Sequence, residues 1–150
     1  MDDLDDLNQP VDLEALGIDY DINEARQTYI DRKLSEGKVI IYPKVNELQI
    51  DIDSEEDWAR YQKGVACIDR NNVFDYVVDI KPSDSGLPNR HITITLPFSL
   101  TPWQRIAFQA SLGSDPMREL LSSIRQLRGD IQPTLFVENP PHFDVFEHGV

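Results

Sequence analysis

The chain has 150 residues, of which 40% are hydrophobic and 27% are charged, and its formal net charge is −13. These values fit one folded domain of ordinary size and argue against global disorder. The acidic balance counts against loose, charge-driven binding to DNA or RNA, which needs an excess of Lys and Arg. It is compatible with cation binding, with a basic partner, or with a local basic groove on an acidic protein.

The single cysteine, Cys67, excludes an internal disulfide and a Cys-based zinc site, and it fits a reducing compartment. We therefore expect a cytoplasmic protein, or one of the host-cell cytoplasm if the chain is viral. No apolar run has the length of a membrane span, and no charged-then-apolar leader is visible, so no membrane partner is expected.

We expect residues 1–20 to form an acidic, weakly ordered N-terminal segment and residues 21–150 to form a single α+β domain. The segment INEARQTYIDRKLSEGK has apolar residues at helical spacing, and Gly37 is well placed to end the helix. The next segment, KVIIYP, predicts a short strand that stops at Pro43.

The rest of the domain alternates strand and helix signals. NELQIDID is a strand pattern, and the helix after it begins at Ser54 as its N-cap. VFDYVVDIKP and RHITITLP predict two further strands, and PTLFVENPP predicts the last one. Between these lie two helices with Thr101 and Asp115 as N-caps, each followed directly by a proline.

From Leu48 onward this order is βαββαβ, which predicts a ferredoxin-like or RNA-recognition-motif-like sheet with an N-terminal helix and strand added. In that topology the spatial order of the four strands is 4-1-3-2. The first and third strands are central neighbours, the fourth flanks the first, and the helices cover only one face.

Strand alternation then places polar residues of separate segments on the open face. The apolar sets Leu48/Ile50/Ile52 and Ile92/Ile94/Leu96 must face the helices, and on the last strand Leu135 and Val137 face inward. The residues that alternate with them, which face the open side, are Asp51, Asp53, His91, Phe136 and Glu138. Because neighbouring strands are about 4.8 Å apart, these acids and His91 are predicted to reach one site.

Three carboxylates with an imidazole suit a divalent cation, since Mg²⁺ and Mn²⁺ take oxygen ligands from carboxylates, water and substrate phosphates. Two such ions would activate an attacking hydroxyl and stabilise a leaving pyrophosphate. The turn PSDSGLPNRH adds Ser85, Arg90 and His91 as candidate phosphate ligands.

These residues resemble three short motifs of the archaeo-eukaryotic primase superfamily, which includes phage and plasmid primase-polymerases. QIDID resembles its hydrophobic-Asp-hydrophobic-acid strand, SGLPNRHITI is similar to its small-x-His strand, and LFVE resembles its hydrophobic-acid strand. Three departures are visible: Asn89 stands at the small position, Glu138 stands where the family more often has Asp, and the chain is short and acidic.

The resemblance implies a metal-dependent nucleotidyltransferase of primase-polymerase type, with a nucleoside triphosphate and a nucleic-acid template as its substrates. It implies Asp51 and Asp53 as catalytic metal ligands, Glu138 as a further ligand of Mg²⁺ or Mn²⁺, and His91 as the residue that contacts the phosphates of the nucleotide. Arg90 and Ser85, predicted from the turn, complete the nucleotide-binding set. The departures leave room for a reduced or inactive relative, or for one subunit of a split enzyme.

A structural alternative exists for each of these residues. Asp51 and Asp53 also fit a solvated sheet face that ends at a helix start, and His91 fits an exposed strand residue beside a turn. Glu138 also fits an ordinary charged strand end, and GSDPMREL is explained as helix punctuation. The alternative function is a non-catalytic, acidic interaction or accessory protein that keeps a primase-like fold and binds a basic protein partner.

Overall fold

A computed structural model describes residues 21–83, 85–130 and 132–141, which form an α+β fold. The expected acidic segment 1–20 and the tail 142–150 lie outside the described residues. The elements in chain order are α1 (Ile22–Ser35), β1 (Val39–Ile41), β2 (Glu47–Ile52), α2 (Glu55–Asn71), β3 (Val77–Pro82), β4 (Arg90–Thr95), α3 (Pro102–Ser111), α4 (Pro116–Leu127) and β5 (Phe136–Glu138).

The helix starts confirm the capping signals of the sequence. The side chain of Ser54 accepts a hydrogen bond from the main-chain N–H of Asp57 at the start of α2. Thr101 and Gln104 form a reciprocal capping box at the start of α3. The side chain of Asp115 accepts from the main-chain N–H of Arg118 at the start of α4. Each predicted N-cap thus fixes the residue at which its helix leaves the preceding loop.

The three-stranded sheet has the order β2-β4-β3, and both pairs are antiparallel. This is the order predicted for the first three strands of the βαββαβ pattern. In the β2–β4 register Ile50 is the partner of Ile92, and Asp51 is the partner of His91. The predicted central neighbours are therefore adjacent.

The apolar faces of these strands point to the helices, as strand alternation predicted. Leu48, Ile50, Ile52 and Ile92 are fully buried, and they form one core with Tyr61 of α2 and with residues after β4 and α3. Burying several such side chains stabilises the fold by about 2 kcal/mol each. Since successive strand residues alternate, this core fixes Asp51 and His91 on the opposite face.

The last strand differs from the prediction, because β5 pairs with β1 and not with β2. The outer edge of β2 is occupied by side chains from α3, from the turn after it and from the first turn of α4. The main-chain N–H of Gln49 donates to Gln109 Oε1 at 2.8 Å, and that of Asp51 donates to Ser114 Oγ at 3.0 Å. Arg118 then donates to the Gln49 carbonyl. With these main-chain groups already bonded, β2 cannot form a ladder with β5 there.

The β1–β5 ribbon also covers part of the sheet face that the sequence predicted to be open. Gln49, on that face, is only 1% exposed, and its Nε2 donates to the Ile41 carbonyl of β1 at 2.9 Å. Phe136 of β5 is buried against His91. The β1–β5 ribbon therefore covers part of the polar face of the sheet and leaves clefts at the margins of the covered area.

Candidate functional site

Asp51 and His91 form the centre of the candidate site. They are direct partners across β2 and β4, and Asp51 Oδ1 lies 3.8 Å from His91 Nε2. Their side chains are 28% and 17% exposed, so both reach solvent from a mostly buried position. The structure thus brings together the acid of the first motif and the histidine of the second.

Phe136 holds the imidazole of His91 in place. The two rings are stacked, with centroids 4.1 Å apart and planes 2° apart. The stack restricts rotation of the imidazole and covers one of its faces, so His91 can interact with a ligand through its ring edge. Strand alternation predicted Phe136 on the His91 side, but no local pattern indicated that it packs on that ring.

The environment of Asp51 disfavours its charged form. Burial raises the pKa of Asp51 to about 6; the guanidinium of Arg118 opposes this, and the carboxylates of Asp53, Asp115 and Glu119 raise the pKa further. A cation placed among these groups would reverse the balance, because it stabilises the ionised carboxylate. Such a group, poised near neutral pH in a cleft, is typical of functional sites.

The segment GSDPMREL positions Asp51, which goes beyond the helix punctuation expected from the sequence. Ser114 accepts from the main-chain N–H of Asp51, and the N–H of Asp115 donates to the Asp51 carbonyl at 2.7 Å. Glu119 is buried and accepts from Ser114 at 2.6 Å and from Arg118 at 3.0 Å. The strand end that presents Asp51 is therefore held on both sides.

A cavity of about 330 Å³ opens beside the Asp51–His91 pair. Asp51, His91 and Asp115 are among the residues that line it. The lining also includes arginines and apolar or aromatic side chains, among them Arg26, Tyr29, Met117, Arg118, Leu121 and Arg125. A volume of this size is at the lower end of the range for small-molecule sites.

The other predicted metal ligands, Asp53 and Glu138, are not among the residues that line the cavity beside Asp51 and His91. Asp53 follows the last residue of β2 and is exposed, and its main-chain N–H donates to Asp57 Oδ2 at 3.0 Å. Partial desolvation, then the carboxylates of Asp115 and Asp57, raise the pKa of Asp53. Glu138 lies 4.0 Å from Lys81 and lines a different groove from that of Asp51. The structure does not bring Glu138 to the Asp51–His91 pair.

The remaining nucleotide-binding candidates are also separated from His91. The guanidinium of Arg90 lies over the Trp58 ring of α2, 3.9 Å from its centroid, and so lies on the helix side of the sheet. Strand alternation requires this, since consecutive residues face opposite ways. Ser85 is exposed in the turn before β4, where its main-chain N–H donates to Ser83 Oγ at 3.2 Å.

Asp51 and Asp115 are the carboxylates that could serve as ligands for a divalent cation at this cavity. Asp51 and Asp115 line the same cavity, and Mg²⁺ or Mn²⁺ binds proteins through one or two carboxylates plus waters and substrate phosphates. Among the described residues no group of three or more His, Cys, Asp or Glu side chains could enclose a metal ion. The arrangement suits a cation that is completed by its substrate more than a closed protein cage.

Searches of protein-family models, curated proteins and solved structures found no match to this chain. Within residues 21–83, 85–130 and 132–141, none of the helices has the length and apolar character needed to span a membrane.

Proposed function

We propose that the protein catalyses metal-dependent nucleotidyl transfer, as the core or a subunit of a primase-polymerase-like enzyme in phage or plasmid replication. The observation that supports this most directly is the direct pairing of Asp51 with His91 across β2 and β4. A carboxylate from one motif and an imidazole from another lie at the same cleft. A site that binds a metal ion and a phosphate together needs groups of both kinds.

In this proposal Asp51, with Asp115 on the same cavity wall and Asp53 at the strand end, holds Mg²⁺ or Mn²⁺. The cation, when bound, supplies Lewis-acid polarisation of the phosphoryl group and a lowered pKa for the attacking hydroxyl. His91, fixed by Phe136, donates a hydrogen bond to a phosphate oxygen. Ser114 and the N–H of Asp115 keep the Asp51 main chain in place as charge accumulates.

The test is incorporation of labelled nucleoside triphosphates on a single-stranded template in MnCl₂ or MgCl₂. We expect incorporation by the wild type and a loss of about a hundredfold or more in Asp51→Asn. Asp79→Asn is the matched control, because Asp79 lies on the same sheet but lines the other groove and is 64% exposed. Equal incorporation by Asp51→Asn and the wild type would reject the mechanism.

A second candidate is a non-catalytic acidic protein that binds a basic partner or a second subunit. The observation that favours it is the position of Glu138, whose carboxylate lies near Lys81 and away from Asp51. The net charge of −13 adds long-range attraction for a basic surface. No saturable Mn²⁺ binding and no incorporation, together with salt-sensitive binding to a basic protein, would favour this candidate.

A further inference from the structure

The outer edge of the three-stranded sheet is an accessible strand, β3. It pairs with β4 on one side, and no strand in the described part of the chain pairs with it on the other. Val77 is 68% exposed and Ile80 is 45% exposed, and the side chains of Asp79 and Lys81 are both more than half exposed. An accessible strand edge presents main-chain donors and acceptors with which a further strand can pair.

The β3–β4 register shows which main-chain groups of β3 face outward. Ser83 follows β3 directly, and its N–H donates to the Asn89 carbonyl at 3.0 Å, which continues the ladder by one residue. Since the N–H groups alternate in direction along a strand, that of Lys81 also points to β4. The N–H and carbonyl groups of Val78 and Ile80 therefore point away from β4, to the outer edge.

We propose that two copies of this chain associate through β3, with the two strands antiparallel and the two-fold axis at Ile80. The main-chain groups of Ile80 then bond to those of Ile80 in the second copy. Val78 of each copy donates to the Pro82 carbonyl of the other. Pro82 has an outward carbonyl but no N–H, so it ends the ladder there and leaves the two outward donors of each copy bonded.

The charges of β3 are self-complementary in this register. Asp79 of each copy lies directly opposite Lys81 of the other, and the symmetry produces this contact twice. The two residues form a non-hydrogen-bonded pair, in which the Cα atoms are about 4.5 Å apart and the side chains are close. Opposite charges at such positions stabilise a sheet. An axis at Asp79 or at Lys81 would instead place two like charges opposite each other.

The Lys81 side chain is available for this contact. Within one chain its Nζ lies 3.8 Å from Asp79 and 4.0 Å from Glu138. Exposed ion pairs at such distances contribute little to stability, so they compete weakly with a carboxylate of the second copy. On the helix side, the half-exposed side chains of Ile80 from the two copies cover each other.

The dimer should be a weak one, because each copy contributes a single strand of six residues. Both chains also carry a net charge of −13, which opposes association until salt screens it. We expect a dissociation constant of about 10–100 μM in about 0.15 M NaCl. At about 1 μM the chains are then separate, and Asp79→Asn remains a suitable control in measurements at that concentration.

Sedimentation velocity between about 1 and 500 μM tests the proposal. The mean mass of the wild type should rise from that of one chain toward that of two. Asp79→Lys places two lysines opposite each other, Lys81→Asp places two aspartates there, and each should weaken the dimer about tenfold or more. The double variant Asp79→Lys/Lys81→Asp restores opposite charges and should dimerise as the wild type does.

Asp31→Lys is the matched control, because it makes the same change of charge at an exposed position on α1. It should leave the dimer intact. A mass of one chain at every concentration would overturn the proposal and would mean that Lys81 and Pro82 protect the edge. Equal weakening in Asp31→Lys and Asp79→Lys would place the interface elsewhere, and a double variant that stays monomeric would reject the axis at Ile80.

Discussion

The guanidinium of Arg118 joins the main chain of β2 to that of Leu135, the residue before β5. It donates to the Gln49 carbonyl and, at 3.0 Å, to the Leu135 carbonyl, while Glu119 pairs with it at 3.0 Å. The Arg118 side chain thus occupies the outer edge of β2, links β2 to the residue before β5 and neutralises the buried Glu119. This relationship makes Arg118 the residue on which the geometry around Asp51 depends.

We predict that Arg118→Met lowers the free energy of unfolding by about 3–5 kcal/mol. Methionine fills a similar volume, but it leaves Glu119 buried without its cation, which is the costly way to break a buried ion pair. Urea denaturation measures the change. Arg32→Met breaks an exposed pair with Glu36 and should cost less than about 1 kcal/mol. Similar losses in the two variants would contradict the role given to Arg118.

We predict that Asp51→Asn stabilises the protein at neutral pH. Burial raises the pKa of Asp51 from 3.8 to about 6, so the folded chain binds this proton more tightly than the unfolded chain does. The resulting stabilisation is complete below about pH 3.8 and is lost as the pH rises through about 6. Above that pH the ionised carboxylate lowers the free energy of unfolding by up to about 3 kcal/mol. The neutral amide of asparagine avoids this loss.

Urea denaturation at pH 4 and at pH 7.5 tests this sign. The gain in the free energy of unfolding in Asp51→Asn should be large at pH 7.5 and small at pH 4. Asp79→Asn is the control, because Asp79 is exposed on β3 and should show no comparable difference. An advantage of equal size at both pH values would mean that the effect does not come from ionisation of Asp51.

We predict that Gly113→Ala destabilises the protein by about 3 kcal/mol or more. Gly113 has a φ of +85°, and an added Cβ would lie 2.7 Å from the main-chain oxygen of Asp57 and the main-chain nitrogen of Tyr61. Left-handed strain alone costs a non-glycine residue about 1–2 kcal/mol, and the close approach to α2 adds to it. Thermal or urea unfolding gives the value.

Gly86→Ala separates the two contributions. Gly86 also has a positive φ, +78°, but an added Cβ would meet no described atom within 4 Å. We expect Gly86→Ala to lower the free energy of unfolding by about 1 kcal/mol, because it adds the backbone strain without the close contact. If both alanine variants lost the same stability, close packing of the α3–α4 turn against α2 would not matter.

Hydrophobic alternation made the central sheet predictable. Ile50 and Ile92 must be buried, and this alone places Asp51 and His91 on the opposite face of adjacent strands. The same rule also places the consecutive residues Arg90 and His91 on opposite faces of the sheet. Alternation alone therefore argues against one phosphate site that contains both residues. Helix starts were predictable because capping is a local interaction.

The β5 partner and the cavity could not be predicted in this way. A three-residue strand has too few positions to specify its neighbour, and the competing groups on the β2 edge come from side chains of Gln109, Ser114 and Arg118. In the sequence, Ser114 and Arg118 resemble ordinary residues around a helix start. Their roles depend on contacts between residues more than 60 positions apart, which local patterns do not encode.

Asp115 and Glu138 are the two candidates for the second acid at the proposed metal site. Asp115 lines the cavity with Asp51, whereas Glu138 lines another groove beside Lys81. Calorimetric titration with MnCl₂ should show no saturable binding in Asp51→Asn and about tenfold or more weaker binding in Asp115→Asn. Glu138→Gln should bind Mn²⁺ as the wild type does.

Asn is as good an N-cap as Asp, so Asp115→Asn keeps the start of α4 and removes only the charge. Any loss of Mn²⁺ affinity in this variant then reports on the carboxylate itself. The reverse pattern, with Glu138→Gln weakened and Asp115→Asn unaffected, would restore the ligand set expected from the three motifs. It would also require β5 to approach Asp51 more closely than its pairing with β1 allows, because Glu138 is the partner of Val39 in that ladder.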